Sequence, residues 1–371
     1  MWGVRRRPVL ERWEPANTAD APLVSVIVPA RDEAHNIQSS LRTLLASRYP
    51  RFEVIVVDDG SVDATAQIIG RIATCSPALR LVMGEPLPPG WFGKPWACTQ
   101  GVRIARGKVL AFADADIQVH PELLARSVAA LQSEGAAMIS VIPRHELESF
   151  WERAVMPHFL LLFLLRFPDP GRVNRSPRSR DTVALGGWMV VRRDAYETVG
   201  GHSSVRGEVS EDLRLAQRFH QAGHPPLLAV ADQYMSVRMY QSLGEIMEGW
   251  SKNLAISSRQ TVSGSAGWLV PWLLLLWLVG MWMVPPAALL LGSAGVWAGA
   301  SVPWAVLASA GLVSLGWVVC RRLRIPLLYA ILLPVGAAVA AGIVLRSIVR
   351  GERVRWKGRE YRVGELKGAT P

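Results

Sequence analysis

The sequence predicts an α/β protein with a mostly parallel sheet covered by helices on both faces, followed by a C-terminal α-helical membrane region. Within the first 260 residues, short apolar runs of strand length alternate with segments of helical periodicity. From Gly267 to Leu345 the chain is almost entirely apolar, and only Arg321, Arg322 and Arg324 interrupt it. Such length and hydrophobicity are typical of membrane-spanning helices.

The elements of the first part follow one another in a regular order. They are strand 23–30, helix 33–47, strand 52–60, helix 63–73, strand 79–84, helix 94–105, strand 108–116, helix 121–135 and strand 136–143. The strands are continuous apolar runs, which indicates burial on both faces and therefore a parallel sheet. In such a sheet the ligand crevice lies at the carboxyl ends of the strands.

Acidic residues stand at those carboxyl ends. The first strand leads into 29–33 (PARDE), the second ends in Asp58 and Asp59, and the fourth ends in Asp114 and Asp116. No GxGxxG or GxxxxGK[ST] motif is present, which argues against a dinucleotide dehydrogenase and a P-loop enzyme. Either acidic pair alone could be a turn or a helix cap. Together at one sheet edge they predict a divalent cation that bridges carboxylates and a diphosphate.

Charge and cysteine content narrow the function classes. The net charge is +11, but the chain has no basic helix, zinc motif or aromatic–basic repeat, so we expect no nucleic-acid partner. The arginines cluster at the N-terminus, in 166–180 and around the apolar segments, as an anionic cytoplasmic leaflet would favour. Three cysteines without metal-ligand spacing indicate a reducing compartment, and residues 1–23 contain no signal-peptide core. No feature indicates an obligate protein partner.

Five segments, in order, resemble glycosyltransferase family 2 with its GT-A (Rossmann-like) fold. They are VSVIVPARDEAHNI, VIVVDDGSVDAT, GKVLAFADADI, LGGWMVVRRDAYETVGGH and GEVSEDLRLAQRFHQAG. LPPGWFGKPWACTQG (87–101), RMYQSLGEIMEGWSKN (238–253) and VRWKGREY (354–361) are similar to membrane-bound glucosyltransferases of the hopanoid-associated and carotenoid type, and more loosely to ceramide glucosyltransferases.

The resemblance implies roles for individual residues. Asp59, with Asp58, would contact the uridine of a UDP-sugar, and Asp116, with Asp114, would bind Mg²⁺ or Mn²⁺. Asp212, preceded by Glu211, would be the catalytic base of an inverting transfer. The remaining residues implied at the donor site are Pro29, Arg31, Glu33, Lys94 and Arg238, of which Lys94 and Arg238 are candidates for the diphosphate.

Several positions have a second interpretation or depart from the family pattern. Glu211 and Asp212 could simply be favourable first-turn acids behind an N-cap at Ser210. Asp32 stands where the family usually has Asn. Arg238 lacks the tryptophan that follows it in processive members, which favours single-sugar transfer. His202 could contact the acceptor.

Tryptophans and glycines near these motifs also leave alternatives open. Trp91 and Trp96 could stack on the donor or pack on lipid or on the sheet. The paired glycines of LGGWM indicate either a close approach of the backbone to a ligand or a bulge.

The predicted domain organisation has four parts. A basic extension covers 1–22, and the GT-A domain covers 23–260, with an interfacial or buried helix at about 149–168. The membrane region covers 267–345, and a basic tail that includes a small hairpin covers 346–371. The Arg-rich segment 171–181 would lie near lipid headgroups or form a mobile loop.

The membrane region has two possible topologies. The apolar stretches at about 268–291, 296–320 and 325–345 give three spans. Alternatively, two spans return the chain to the cytoplasm at Arg321, and a break at 332–338 makes a re-entrant segment that leaves the tail cytoplasmic. The second arrangement satisfies the positive-inside rule for the tail arginines.

The predicted function is a multi-pass cell-membrane enzyme with a cytoplasmic catalytic domain. It would transfer one sugar, with UDP-glucose as the expected donor, to an isoprenoid, carotenoid, hopanoid or sphingolipid-like acceptor. The alternatives are a processive polysaccharide synthase, a polyprenyl-phosphate glycosyltransferase and, more distantly, a nucleotide-binding transporter or scaffold. The absence of intramembrane acids disfavours a transporter.

Overall fold

The computed structural model describes residues 8–15, 20–261, 265–296, 301–351 and 353–362. The chain divides into two compact units. The first, here called the sheet unit, comprises Met1–Glu146, Phe167–Met239 and Tyr361–Pro371. The second, the helical unit, comprises Leu147–Arg166 and Tyr240–Glu360. Parts of the predicted N-terminal extension and of the basic tail lie outside the described residues.

The sheet unit is built on a seven-stranded sheet. Its strands are β1 (Val24–Ala30), β2 (Phe52–Asp58), β3 (Leu79–Met83), β4 (Val109–Ala113), β6 (Met138–Ile142), β8 (Trp188–Arg192) and β9 (Leu227–Val230), and β5 (Ile117–Val119), β7 (Arg144–His145) and β10 (Met235–Val237) form a second, smaller sheet. The order in the large sheet is β3-β2-β1-β4-β8-β6-β9. Only β8 is antiparallel to its neighbours, so the predicted mostly parallel sheet is confirmed.

Helices cover both faces of this sheet. They are α1 (Ile37–Leu45), α2 (Thr65–Cys75), α3 (Gly93–Ile104), α4 (Leu123–Ser133), α6 (Pro170–Val173), α7 (Arg193–Thr198) and α8 (Glu211–Gln221). Alternate residues of β1 enter different apolar clusters: Val26 and Val28 join one, and Ile27 joins another with Leu110 and Phe112. Because successive side chains of a strand point to opposite faces, this division explains why the strand is an unbroken apolar run.

The register of the strands positions the acidic residues. Ala30 at the end of β1 pairs with Asp58 at the end of β2, and Ile27 pairs with Phe112 in β4. Asp114 therefore follows a strand that ends at the same edge. The small sheet extends this edge, because Ile117 of β5 pairs with Val237 of β10.

The helical unit contains α5 (Phe150–Arg166), α9 (Leu243–Thr261), α10 (Val270–Leu278), α11 (Val284–Ser293), α12 (Ser301–Leu323) and α13 (Tyr329–Arg350). A π-helical stretch, Val279–Met283, joins α10 to α11. Three helices are long and apolar enough to cross a membrane: Val270–Ser293, Val302–Leu323 and Tyr329–Arg350. The predicted C-terminal helical membrane region therefore has its structural counterpart, although the unit also takes in 147–166 and 240–261.

The predicted break at 332–338 is absent, because α13 is continuous through Pro334. Contacts with α5 hold this part of the helix. His158 Nε2 lies 2.9 Å from the carbonyl oxygen of Leu333, and Gly336 packs directly on the backbone of Ala154. These contacts favour a continuous helix despite the N–H group that proline lacks.

The predicted hairpin in the tail is present. Strands β11 (Arg353–Trp356) and β12 (Arg359–Arg362) form a two-stranded sheet. Lys357 and Gly358 connect them with φ angles of 46° and 77°, the left-handed values that a tight hairpin turn of type I′ requires.

Candidate active site

The ends of β1 and β2 form one side of the site. Asp58 and Asp59 are both buried, and the Asp59 amide donates to the Ala30 carbonyl at 2.8 Å. The Asp58 carboxylate accepts hydrogen bonds from the backbone amide and hydroxyl of Ser61. Ser61 belongs to the segment VIVVDDGSVDAT, in which no role was predicted for it. The turn 58–61 is therefore fixed from within.

The loop after β1 is joined to the loop after β2. Arg31 donates from Nη1 to the carbonyls of Asp59 and Gly60, so its guanidinium braces this turn. Asp32 has φ 51°, and its carboxylate accepts from the Val62 amide at 2.8 Å. Asn and Asp both tolerate this left-handed conformation, which explains how Asp can replace the usual Asn of the family.

Asp114 and Asp116 follow β4. The Asp114 amide donates to the Gly187 carbonyl at 3.2 Å. Oδ1 of Asp116 is buried and has no hydrogen-bond partner. Burial, together with the charges of Asp114 and Glu33, raises the pKa of Asp116 from 3.8 to about 7. The three carboxylates thus create a negative, partly desolvated position.

These residues fit a divalent cation. A buried carboxylate oxygen without a donor, next to a second carboxylate, is an oxygen ligand of the kind that Mg²⁺ and Mn²⁺ take. Within the described residues, no group of three or more His, Cys, Asp or Glu side chains is arranged to hold a metal. Asp116 and Asp114 would therefore bind the cation together with oxygens from a diphosphate and water.

Lys94, near the start of α3, connects the two ends of the acidic cluster. Its Nζ lies 2.8 Å from Asp114 Oδ1 and 3.0 Å from Glu211 Oε1. Burial opposes the positive charge, but Asp114, Glu211 and Asp212 outweigh it and hold the pKa of Lys94 well above 10.5. The structure thus places this ammonium between the predicted metal motif and the predicted base.

Asp212 lies in the first turn of α8 and is held by two amides. Gly186 donates to Oδ2 at 2.8 Å, and Leu213 donates to Oδ1 at 2.7 Å. Burial and the neighbouring Glu211 raise the pKa of Asp212 from 3.8 to about 6, while Lys94 and the two amides oppose this rise. A carboxylate with a pKa near 6 is suited to general-base catalysis at neutral pH.

The first of the paired glycines is required by this cluster. A Cβ on Gly186 would lie 2.7 Å from Lys94 Nζ and 3.2 Å from Asp212 Oδ2. The Ser140 hydroxyl fixes the preceding residue, since its Oγ accepts from the Leu185 amide at 2.8 Å. The glycine pair therefore allows a close approach between the backbone and the charged side chains.

The remaining predicted residues lie nearby but differ in environment. Pro29 lies within β1, where it pairs with Val57. Arg238 directly follows β10, which pairs with the strand that begins after Asp116, so the register brings it to the same corner. Trp96 is buried, donates to the Glu85 carbonyl at 3.2 Å and packs edge-to-face with Trp91. Trp96 is therefore held by contacts within the sheet unit.

His202 is buried beneath the site, without access to an acceptor. Its Nδ1 lies 2.8 Å from the Tyr196 hydroxyl, and its ring packs edge-to-face with Phe112. Burial, with a smaller contribution from Lys94, lowers the pKa of His202 from 6.5 to about 3. The role that sequence reasoning considered for His202 as an acceptor contact is therefore wrong, and the residue is a neutral part of the core.

Known proteins resemble this chain in sequence and in fold. Residues 25–200 match Glycosyl transferase family 2. The 4,4'-diaponeurosporenoate glycosyltransferase of Staphylococcus aureus (strain USA300) is 28% identical over 257 residues, which cover 67% of this chain and 65% of that protein. Its counterpart in Staphylococcus haemolyticus (strain JCSC1435) is 27% identical over 264 residues, covering 69% and 66%. The match thus spans slightly less than two thirds of these relatives.

A solved structure shows the same architecture over most of the chain. It is the mannosyltransferase PcManGT from Pyrobaculum calidifontis in complex with GDP-Man and Mn²⁺, with a TM-score of 0.51, 20% identity and coverage of 92% of each chain. Residues 25–200 of the present chain therefore form a glycosyltransferase family 2 domain with the GT-A fold, homologous to the diaponeurosporenoate glycosyltransferases.

Proposed function

We propose that this protein is a membrane-anchored, metal-dependent, inverting glycosyltransferase that moves one sugar from a UDP-sugar to a lipid. The observation that carries the proposal is the acidic cluster at the sheet edge. Asp116 offers a buried, unpartnered oxygen on one side, and Asp212 is a base with a raised pKa on the other. Transfer from a nucleotide sugar needs a cation site and a base of this kind.

The residues of the chain would divide the reaction between them. The turn at Asp58 and Asp59 would hold the nucleoside, and Asp114 and Asp116 would hold the cation, which supplies positive charge to the departing diphosphate. Asp212 would accept the proton of the acceptor hydroxyl as the hydroxyl oxygen bonds to C1 of the sugar. As this bond forms, the bond from C1 to the UDP oxygen breaks on the opposite face of C1 and UDP leaves, so that inversion gives a β-linkage from an α-linked donor.

A lipid acceptor is supported by the relatives and by the apolar helices. The staphylococcal relatives are diaponeurosporenoate glycosyltransferases by name, and three helices of this chain are long and apolar enough to cross a membrane. Glucose is the donor sugar we propose, and the lipid is of the isoprenoid or sphingoid class. Arg238 followed by Met239 and Tyr240 favours single-sugar transfer over processive synthesis.

We place the sheet unit and the tail on the cytoplasmic side. Tyr361 of β12 belongs to the sheet unit and packs against Phe92, with ring centroids 4.4 Å apart. With both on one side, the chain would cross the membrane an even number of times. The pair 270–293 and 302–323 would cross, returning at Arg321, Arg322 and Arg324 as positive-inside predicts. Helix α13, which is the most buried of the three, would stay on the cytoplasmic side.

Impermeant thiol labelling tests this topology. In a variant without the exposed Cys75, we expect a cysteine at Gly295 to react in intact cells. A cysteine at Gly358 should react only after permeabilisation. Labelling at Gly358 in intact cells would contradict the proposed position of the tail.

Calorimetric titration of UDP into the full chain, with and without Mn²⁺, tests the function most directly. We expect metal-dependent binding that Asp116→Ala removes while the protein still folds. UDP binding of equal affinity with and without Mn²⁺ would exclude the metal-dependent mechanism.

Incubation with UDP-glucose or GDP-mannose and a total lipid extract, followed by mass spectrometry, then identifies the donor and the lipid. Products carrying several sugars would favour the processive alternative, and a polyprenyl-phosphate sugar would favour the second alternative.

A further inference from the structure

The segment between α5 and β8 presents an unusual concentration of positive charge. Residues 169–181, here called the arginine loop, lie in the sheet unit. From Pro170 to Arg180 the loop contains four arginines and no acidic residue. It consists of helix α6, a turn and a short 3₁₀ helix, Ser179–Asp181.

The polar groups of this loop are used to fix its shape. The Asn174 side chain bonds both backbone groups of Leu228 in β9, donating to the carbonyl at 2.9 Å and accepting from the amide at 2.8 Å. His220 Nε2 of α8 lies 3.1 Å from the carbonyl oxygen of Ser176. The loop is therefore held against the sheet unit at two points.

Both flanking acids are occupied within the loop. Asp169 accepts from the Gly171 amide at 3.0 Å and caps α6, and Asp181 accepts from the Ser176 hydroxyl at 2.8 Å. The two carboxylates thus stabilise the backbone conformation of the loop.

Three arginines of this loop lie on its surface. Arg172, Arg175 and Arg178 are exposed, and within the described part of the chain none of them has a carboxylate within 4.0 Å. Two other exposed arginines of the sheet unit, Arg48 and Arg103, form ion pairs. An ordered surface with three unpaired guanidiniums has the charge and the geometry to bind an anionic partner.

We propose that the arginine loop is a docking surface for the anionic headgroups of a phospholipid bilayer. The chain reaches the loop from α5, whose last turn exposes Leu164 at 51% and Leu165 at 60%. Apolar side chains followed within a few residues by arginines are the pattern of a segment at the membrane interface. The loop contains no aromatic residue for base stacking, which disfavours single-stranded nucleic acid. The proposal does not depend on sugar transfer. It rests on the proposed association of the protein with a membrane.

Hydrogen–deuterium exchange of the full chain in nanodiscs tests the proposal. Discs of phosphatidylcholine alone are compared with discs that also contain phosphatidylglycerol. We expect amides of residues 169–181 to exchange about tenfold more slowly in the anionic discs, because each arginine near the surface adds electrostatic attraction. High salt should abolish the difference.

The triple variant R172Q/R175Q/R178Q should lose this protection. R71Q/R80Q/K108Q, which removes the same charge from exposed positions elsewhere in the sheet unit, should keep it. Equal loss in both variants would reduce the effect to net charge and overturn the proposal. Equal protection from inorganic phosphate with neutral discs would do so too, because the loop would then be a site for free phosphate. The exchange measurement does not require transferase activity, so it tests the arginine loop even if the proposed function fails.

Discussion

Two glycines, one in each unit, stand at positions where a side chain would collide, but the neighbours are of different kinds. At Gly186 in the sheet unit, a Cβ would meet Lys94 Nζ at 2.7 Å and Asp212 Oδ2 at 3.2 Å. At Gly336 in the helical unit, a Cβ would collide with the Ala154 carbonyl oxygen. The first contact involves the ends of charged side chains, and the second involves a helix backbone.

The kind of neighbour determines whether a substitution at each glycine changes catalysis or stability. The ends of Lys94 and Asp212 can move, so crowding them changes the positions of charges without unfolding the sheet. The backbone of α5 cannot move without separating from α13, so crowding it changes packing. We therefore expect substitutions in the acidic cluster to affect catalysis and substitutions at the α5–α13 contact to affect stability.

The largest expected effect is that of Asp212→Asn. The amide keeps the shape of the side chain but cannot accept the acceptor proton, so kcat should fall about 10²- to 10⁴-fold, the usual contribution of a general base. Metal-dependent UDP binding should remain, because Asp212 would act on the acceptor side. Near-normal kcat in this variant would remove Asp212 from the mechanism and leave its position in the first turn of α8 as its only role.

The contrast between the units also shows what sequence could predict. The parallel strands were predicted closely because burial on both faces produces unbroken apolar runs, and the acids were found because they end such runs. Helix α9 was not assigned to the helical unit, since its polar sequence lacks membrane-like hydropathy. Its contacts with α13 include ion pairs of Glu248 with Arg346 and Arg350, which lie about a hundred residues away in the chain.

The position of Lys94 was also beyond the reach of the sequence. The family resemblance implied a diphosphate ligand, whereas the structure places its ammonium between Asp114 and Glu211. Three elements distant in sequence create this arrangement, so no local sequence pattern could predict it. Similarly, Pro334 and Gly336 suggested a break, but contacts with α5 stabilise a continuous α13.

Gly186→Ala tests the sheet-unit half of the comparison. The added methyl group should displace Lys94 or Asp212 by a fraction of an ångström to one ångström, and kcat/KM should fall about 10²-fold. The melting temperature should change little. Gly187→Ala is the matched control, because the nearest neighbour of its Cβ would be the flexible end of Met235, at 3.0 Å, and Asp114 Oδ2 would lie at an ordinary contact distance of 4.0 Å. Equal losses of kcat/KM in both variants would mean that the two glycines are required for the backbone conformation and not for the contact with Lys94 and Asp212.

Gly336→Ala tests the helical-unit half. Because the collision is with backbone, α5 and α13 must separate, and we expect a loss of about 1–3 kcal/mol in the free energy of unfolding. Thermal unfolding in detergent measures this loss. Gly342→Ala lies in the same helix with nothing within 4 Å of its Cβ, and should be neutral or slightly stabilising. An unchanged midpoint for Gly336→Ala would contradict the assigned α5–α13 packing.

The smallest expected effect is a change in pH dependence that distinguishes two roles for Lys94. Asp212 must be ionised to act as a base, so kcat should rise with pH through about 6 and then level off. Glu211 raises the pKa of Asp212, and Lys94 lowers it. Removing the positive charge in Lys94→Met should therefore move the rising limb to higher pH, while Lys94→Arg should leave it in place. If Lys94→Met instead weakens UDP binding and leaves the limb unchanged, the lysine serves the diphosphate, and the link between metal motif and base is not electrostatic.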